Sequence, residues 1–92
     1  MTGNREEKLA EVAKLKEQDE KAYSQMYELH DDKEIRWQYE LAYDSLRSAA
    51  RIAREVGLAE EAAEAEKRAE HVREVYRHQF MQSPDRWTRN LT

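Results

Sequence analysis

The chain has 92 residues, 39% of them charged, with a formal net charge of -4, two glycines, one proline and no cysteine. That length bounds it to one domain, and nearly cancelling charge with so little Gly and Pro excludes a disordered or low-complexity chain. The lack of cysteine excludes disulfides and thiolate metal sites, and no apolar run approaches the roughly 18 residues of a membrane span.

The start, Met1-Thr2-Gly3-Asn4-Arg5-Glu6-Glu7, has no apolar core of a secretory leader, so the cytoplasm is the expected location. Asn4 with Glu7 three residues later is a capping-box pattern, which predicts a helix beginning near residue 5. Leu9, Val12 and Ala13, then Tyr23, Met26, Tyr27 and His30, keep helical spacing to about residue 30. Between them Lys16–Lys21 is almost wholly polar and is supported by charge pairing such as Glu17 with Lys21.

Asp31, with Glu34 three residues on, predicts a second helix over 32–56; one continuous helix through this region is the alternative, since no Gly or Pro lies between Gly3 and Gly57. Ile35, Tyr39, Ala42, Leu46, Ala49, Ala53 and Val56 recur at alternating spacings of four and three. Gly57 and Leu58 then supply the left-handed residue and the apolar contact of a Schellman ending. A third helix is predicted over 59–82, with Glu60 and Glu61 in its first turn and Leu58, Ala62, Ala65, Ala69, Val72 and Tyr76 as its stripe. Ser83-Pro84 ends it, leaving a domain of residues 1–83 and a tail of 84–92 that includes Trp87. The fold expected is an all-α, up-down bundle of three long helices. Leu, Ile, Val and Phe total only 14 residues against 12 alanines, a thin core that a homodimer would reinforce.

In such a bundle, Tyr23, Tyr27, Trp37, Tyr39, Tyr43, Tyr76 and Phe80 gather at one pole, and the alanines around 49–65 at the other. The bundle should taper, since small residues let helix axes approach closely. Trp37 and Tyr39 stand about 200° apart on a helix, so they cannot both point inward. At least one large aromatic is expected on a second surface, where exposed Trp and Tyr are favoured as binding anchors. The expected function is protein–protein interaction, as an adaptor, regulator or inhibitor, anchored by Trp37, Tyr39, Tyr43, Tyr23, Tyr27 and Trp87.

Chemistry is not expected. His30, His71 and His78 lack the Glu-x-x-His pattern of a carboxylate-bridged metal bundle, and His71 and His78 are about 10 Å apart along the axis. Carboxylates have basic neighbours one turn on, as in Glu64 with Arg68 and Glu74 with Arg77, an arrangement that does not shift pKa values as catalysis requires. Neither a metal nor a cofactor is implied. Arg47, Arg51 and Arg54 line one side of the second helix and are candidate phosphate contacts for a subunit of a nucleic-acid-associated complex. Interleaved acids and a pI near 5.4 argue against direct nucleic-acid binding, and pairing of those arginines with glutamates of the third helix is the simpler expectation. A self-assembling structural protein is the third class considered.

Over Leu46–Glu74, the small residues Ala49, Ala50, Ala62 and Ala69, with the turn glycine Gly57, fall at the spacing of a close helix pair. The segment Gly57-Leu58-Ala59-Glu60-Glu61-Ala62 resembles the turn into the second helix of a tetratricopeptide-type hairpin. The family's early Trp, mid-helix Tyr and closing Pro are not in register, and no second copy follows at a 34-residue period. The resemblance implies a scaffold for peptides or helices.

Overall fold

The computed structural model describes residues 2–81. Trp87 and the rest of 82–92 lie outside the described residues, so the expectations placed on that tail are not addressed by the structure. Three α-helices follow one another: α1 over Thr2–Glu28, α2 over Asp32–Glu55 and α3 over Ala59–Val75, the last continuing as a π-helical segment, Tyr76–Met81. The described residues contain no strand, and none of their helices is long and apolar enough to cross a membrane. An all-α bundle of three helices is therefore the fold.

Two corrections concern α1. It begins at Thr2 rather than near residue 5 and ends at Glu28 rather than 30. Asn4 is thus inside the helix rather than at its N-cap. At the other end, Asp31 is the N-cap of α2, as expected. Its Oδ1 accepts from the backbone N–H of Lys33 at 2.7 Å and of Glu34 at 3.3 Å. Those bonds satisfy orphan amides of the first turn and break the chain between α1 and α2.

The α2–α3 turn is a complete Schellman motif. Leu58 N–H donates to Ala53 O at 2.8 Å, Gly57 N–H donates to Arg54 O at 3.1 Å, and Gly57 takes φ +83°. With so short a turn the two helices pack antiparallel. The third correction is at the far end, where a continuous α-helix to residue 82 is expected. The wider π turn begins at Tyr76 instead, where the rings of Tyr76 and Phe80 meet those of α2 and α1.

The core is laid out along α2, which packs against both other helices. Near the α2–α3 turn it consists of Val12, Ala49, Ala50, Ile52, Ala53, Ala62 and Ala65, with Leu15 and Leu58 against it. Further along, Ala22, Ala42, Leu46, Ala69 and Val72 are flanked by Tyr23, Tyr39, Leu41 and Tyr43. Alanines thus fill one end and rings border the other, as the sequence predicts. Among the described residues four ion pairs cross between the helices, three at the surface, Lys8–Glu55, Lys16–Glu61 and Arg54–Glu66, and one that reaches the buried Asp19 from Arg68.

Candidate functional site

The aromatic pole is a continuous run of ring contacts joining all three helices. Tyr39 stacks on Tyr76 with centroids 4.2 Å apart and planes 10° from parallel. Tyr43 lies 5.9 Å from Tyr39, and Phe80 lies 6.4 Å from Tyr76. Phe80 meets the edge of Tyr27 at 5.2 Å, Tyr27 meets Tyr23 at 5.5 Å, and Tyr23 reaches His71 at 6.4 Å. The Tyr27 hydroxyl also donates to Gln79 Oε1 at 3.1 Å. Burial raises the phenol pKa of Tyr23, Tyr39 and Tyr76 above its ordinary value. These rings hold helices together, and Tyr23, Tyr39 and Tyr43 are half-buried against the core.

Trp37 stands apart. It is 68% exposed, and no ring contact reaches it among the described residues. The structure therefore separates the six aromatics proposed from sequence: Trp37 on one face, Tyr23, Tyr27, Tyr39 and Tyr43 in the interhelical run, and Trp87 outside the described residues. Tyr27, 50% exposed, is the only other large exposed hydrophobic group among them.

Beside Trp37 lies a groove of about 300 Å³ between the end of α1 and the start of α2, lined by Gln25, Leu29, Lys33, Glu34, Trp37 and Gln38. Glu34, Trp37, Leu41 and Asp44 follow at i, i+3, i+7 and i+10, which places them on one face of α2. Tyr39, which turns to α3, is about 200° away from Trp37. The groove thus belongs to the side of the α1–α2 pair that α3 leaves open.

The groove lining holds one charge of each sign, Lys33 and Glu34, and the hairpin around it is acidic. Residues 25–44 carry six acids (Glu28, Asp31, Asp32, Glu34, Glu40 and Asp44) against two bases, Lys33 and Arg36. The chain's other 14 acids and 14 bases cancel, so its entire formal charge of -4 resides in this hairpin. All six acids are exposed, and among the described residues only Glu40 has an ion-pair partner, Arg36 at 3.8 Å. Sequence alone does not single out this patch, because the acids look like ordinary solvated helix faces until the groove is seen among them.

The candidate phosphate contacts are brought together less than the sequence suggests. Arg54 donates from Nη1 and Nη2 to the two carboxylate oxygens of Glu66 of α3, which holds the Glu66 carboxyl below its usual pKa. Arg47 donates to the Tyr43 hydroxyl at 3.2 Å and lies over that ring, leaving Arg51 alone of the three without an interaction among the described residues. Pairing with α3 glutamates thus holds for Arg54 only.

Two other predicted pairs are replaced. Arg68 turns to Asp19 of α1 at 3.3 Å and covers the Tyr23 ring at 4.6 Å, rather than pairing with Glu64. Glu74 is taken by His78 at 3.0 Å, not by Arg77. In both cases a partner at the right height on the bundle or on the helix wins over the expected i,i+3 or i,i+4 neighbour. Asp19 itself is buried, 3% exposed, with Oδ1 unpartnered, and burial raises its pKa more than Arg68 lowers it. Among the described residues no group of three or more His, Asp and Glu is placed to hold a metal ion.

Comparison with protein-family models, with curated proteins and with solved structures gives no match to this chain.

Proposed function

We propose that this chain is a non-enzymatic protein–protein interaction module, a small adaptor, regulator or inhibitor, that docks through the Trp37 face. One observation carries the reading: Trp37 lies 68% exposed beside a preformed groove, while the other rings of the pole are engaged with one another. A large exposed indole next to a concavity is the arrangement in which truncation to alanine costs an interface most. Because two packed helices fix the groove in advance, little ordering cost opposes binding there.

The tetratricopeptide-like resemblance of residues 46–74 points to the same class of scaffold, although this groove lies on α1 and α2 outside that hairpin. Binding to nucleic acid finds less support, since Arg47 and Arg54 have partners and the open face is acidic. Self-assembly through the Trp37 face would set two acidic hairpins against each other.

A photo-reactive phenylalanine analogue at Gln38, in the groove, tests the reading against the same group at Ala63, on the exposed side of α3. The expected result is a discrete cross-linked partner from position 38 that disappears in Trp37→Ala, with the helical circular dichroism unchanged. The same adduct from position 63, or its persistence in Trp37→Ala, would refute the docking face.

A further inference from the structure

We infer that the segment docking on the Trp37 groove is a basic amphipathic helix; this deduction rests on the docking function proposed above and names its partner's chemistry. Three observations lead there. The groove lies between two helical segments, with the first amides of α2 taken by the Asp31 side chain, so it offers no continuous ladder of free N–H and C=O groups to an extended strand. A segment that satisfies its own backbone loses least on leaving water, and a helix does so.

The groove's shape agrees. α3 packs on one side of α2, and the groove marks the open side, where a further helix would lay its ridge between α1 and α2 as in a four-helix bundle. Leu29, Trp37 and the half-buried Leu41 supply the apolar strip for residues of a partner at i, i+3 or i+4, and i+7.

Charge then selects the partner. Glu34 stands one turn before Trp37 and Asp44 two turns after it, on the same face, and neither has an ion-pair partner among the described residues. With the whole -4 of the chain in residues 25–44, a lysine- or arginine-flanked helix is attracted and steered to the face. A second copy, carrying the same acids on the same surface, is repelled from it.

The test uses the full chain with Trp87→Phe, in which Trp37 is the only indole. Two synthetic 18-residue amphipathic peptides share one leucine face and differ only in a lysine or a glutamate polar face. The lysine peptide should shift Trp37 emission to the blue, and raising salt should weaken its binding; the glutamate peptide should leave the emission unchanged. The double variant Glu34→Lys with Asp44→Lys should weaken the lysine peptide about tenfold and admit the glutamate one. The neutral pair Glu34→Gln with Asp44→Asn gives the same test, with a smaller expected change, should the reversed pair not fold. An equal shift by both peptides would overturn the basic partner and leave the docking face standing. No shift with either would overturn both readings. A shift produced by raising protein concentration alone would assign the face to a second copy and overturn the inference.

Discussion

Asp19 turns inward from the stretch Lys16–Lys21, which reads as wholly polar, and places a carboxylate against Leu46, Ala65 and Arg68. Burial is the larger effect on it, the Arg68 guanidinium the smaller, and the result is a pKa above the ordinary carboxylate value. The native state therefore holds this proton at a pH where the unfolded chain has lost it. Stability from Asp19 falls as pH rises from the unfolded pKa through the folded one, and is recovered on acidification across that window. Urea titrations at a series of pH values should show this slope in the parent chain above the unfolded carboxylate pKa and a flatter profile in Asp19→Asn. An identical profile in the two proteins would mean that Asp19 is solvated. Sequence could not single this acid out, because it is one of 20 and its neighbours are Gln18 and Glu20. Trp37 was legible for the opposite reason: its angle to Tyr39 alone decides that both cannot face inward.

At the scale of the elements, α2 and α3 were the most legible, since their apolar residues alternate at three and four and their junction has a glycine in the one place a Schellman turn needs it. Gly57 has φ +83°, and an added Cβ would meet no atom within 4 Å. The cost of Gly57→Ala is thus the left-handed backbone strain alone, about 1–2 kcal/mol. For a domain of this size that is a Tm lower by about 4–8 °C per kcal/mol, with an unchanged urea m-value. A larger loss, or a changed m-value, would show that the turn does more than reverse the chain. The start of α1 was misread because a capping box marks where a helix can begin, and Asn4 is also tolerated in its first turns. The π turn at Tyr76–Met81 was not readable at all. It accompanies ring contacts with Tyr39 and Tyr27, more than 30 residues away in the chain, and no local spacing encodes such a meeting. For the same reason no local spacing decides which of the three rings on α2 takes the open face: it is Trp37, while the rings of Tyr39 and Tyr43 are half-buried against the core.

Across the whole molecule the two ends are built on different physics, and they should fail in different ways. Near the α2–α3 turn, Ala49, Ala53 and Ala62 are completely buried, and there the side chains filling the core are mostly methyl groups. Such a contact has no room for a larger group, because interiors are close-packed and neighbours shift only at a cost. At the pole, Tyr39 is half-buried between Tyr43 and Tyr76, and removing its ring takes away stacked area on two sides. Ala53→Leu should therefore destabilise by about 1–3 kcal/mol through overpacking. Tyr39→Ala should cost a similar amount, about 2 kcal/mol, through lost burial and stacking. Trp37→Ala, on the open face, should stay within about 0.5 kcal/mol of the parent. Urea unfolding of the three variants separates these cases, and amide exchange localises them: Ala53→Leu should loosen the turn end first, Tyr39→Ala the ends of α1 and α3. If Trp37→Ala proved as costly as Tyr39→Ala, the indole would be part of what holds the bundle together, and the face beside it would lose its standing as a docking site.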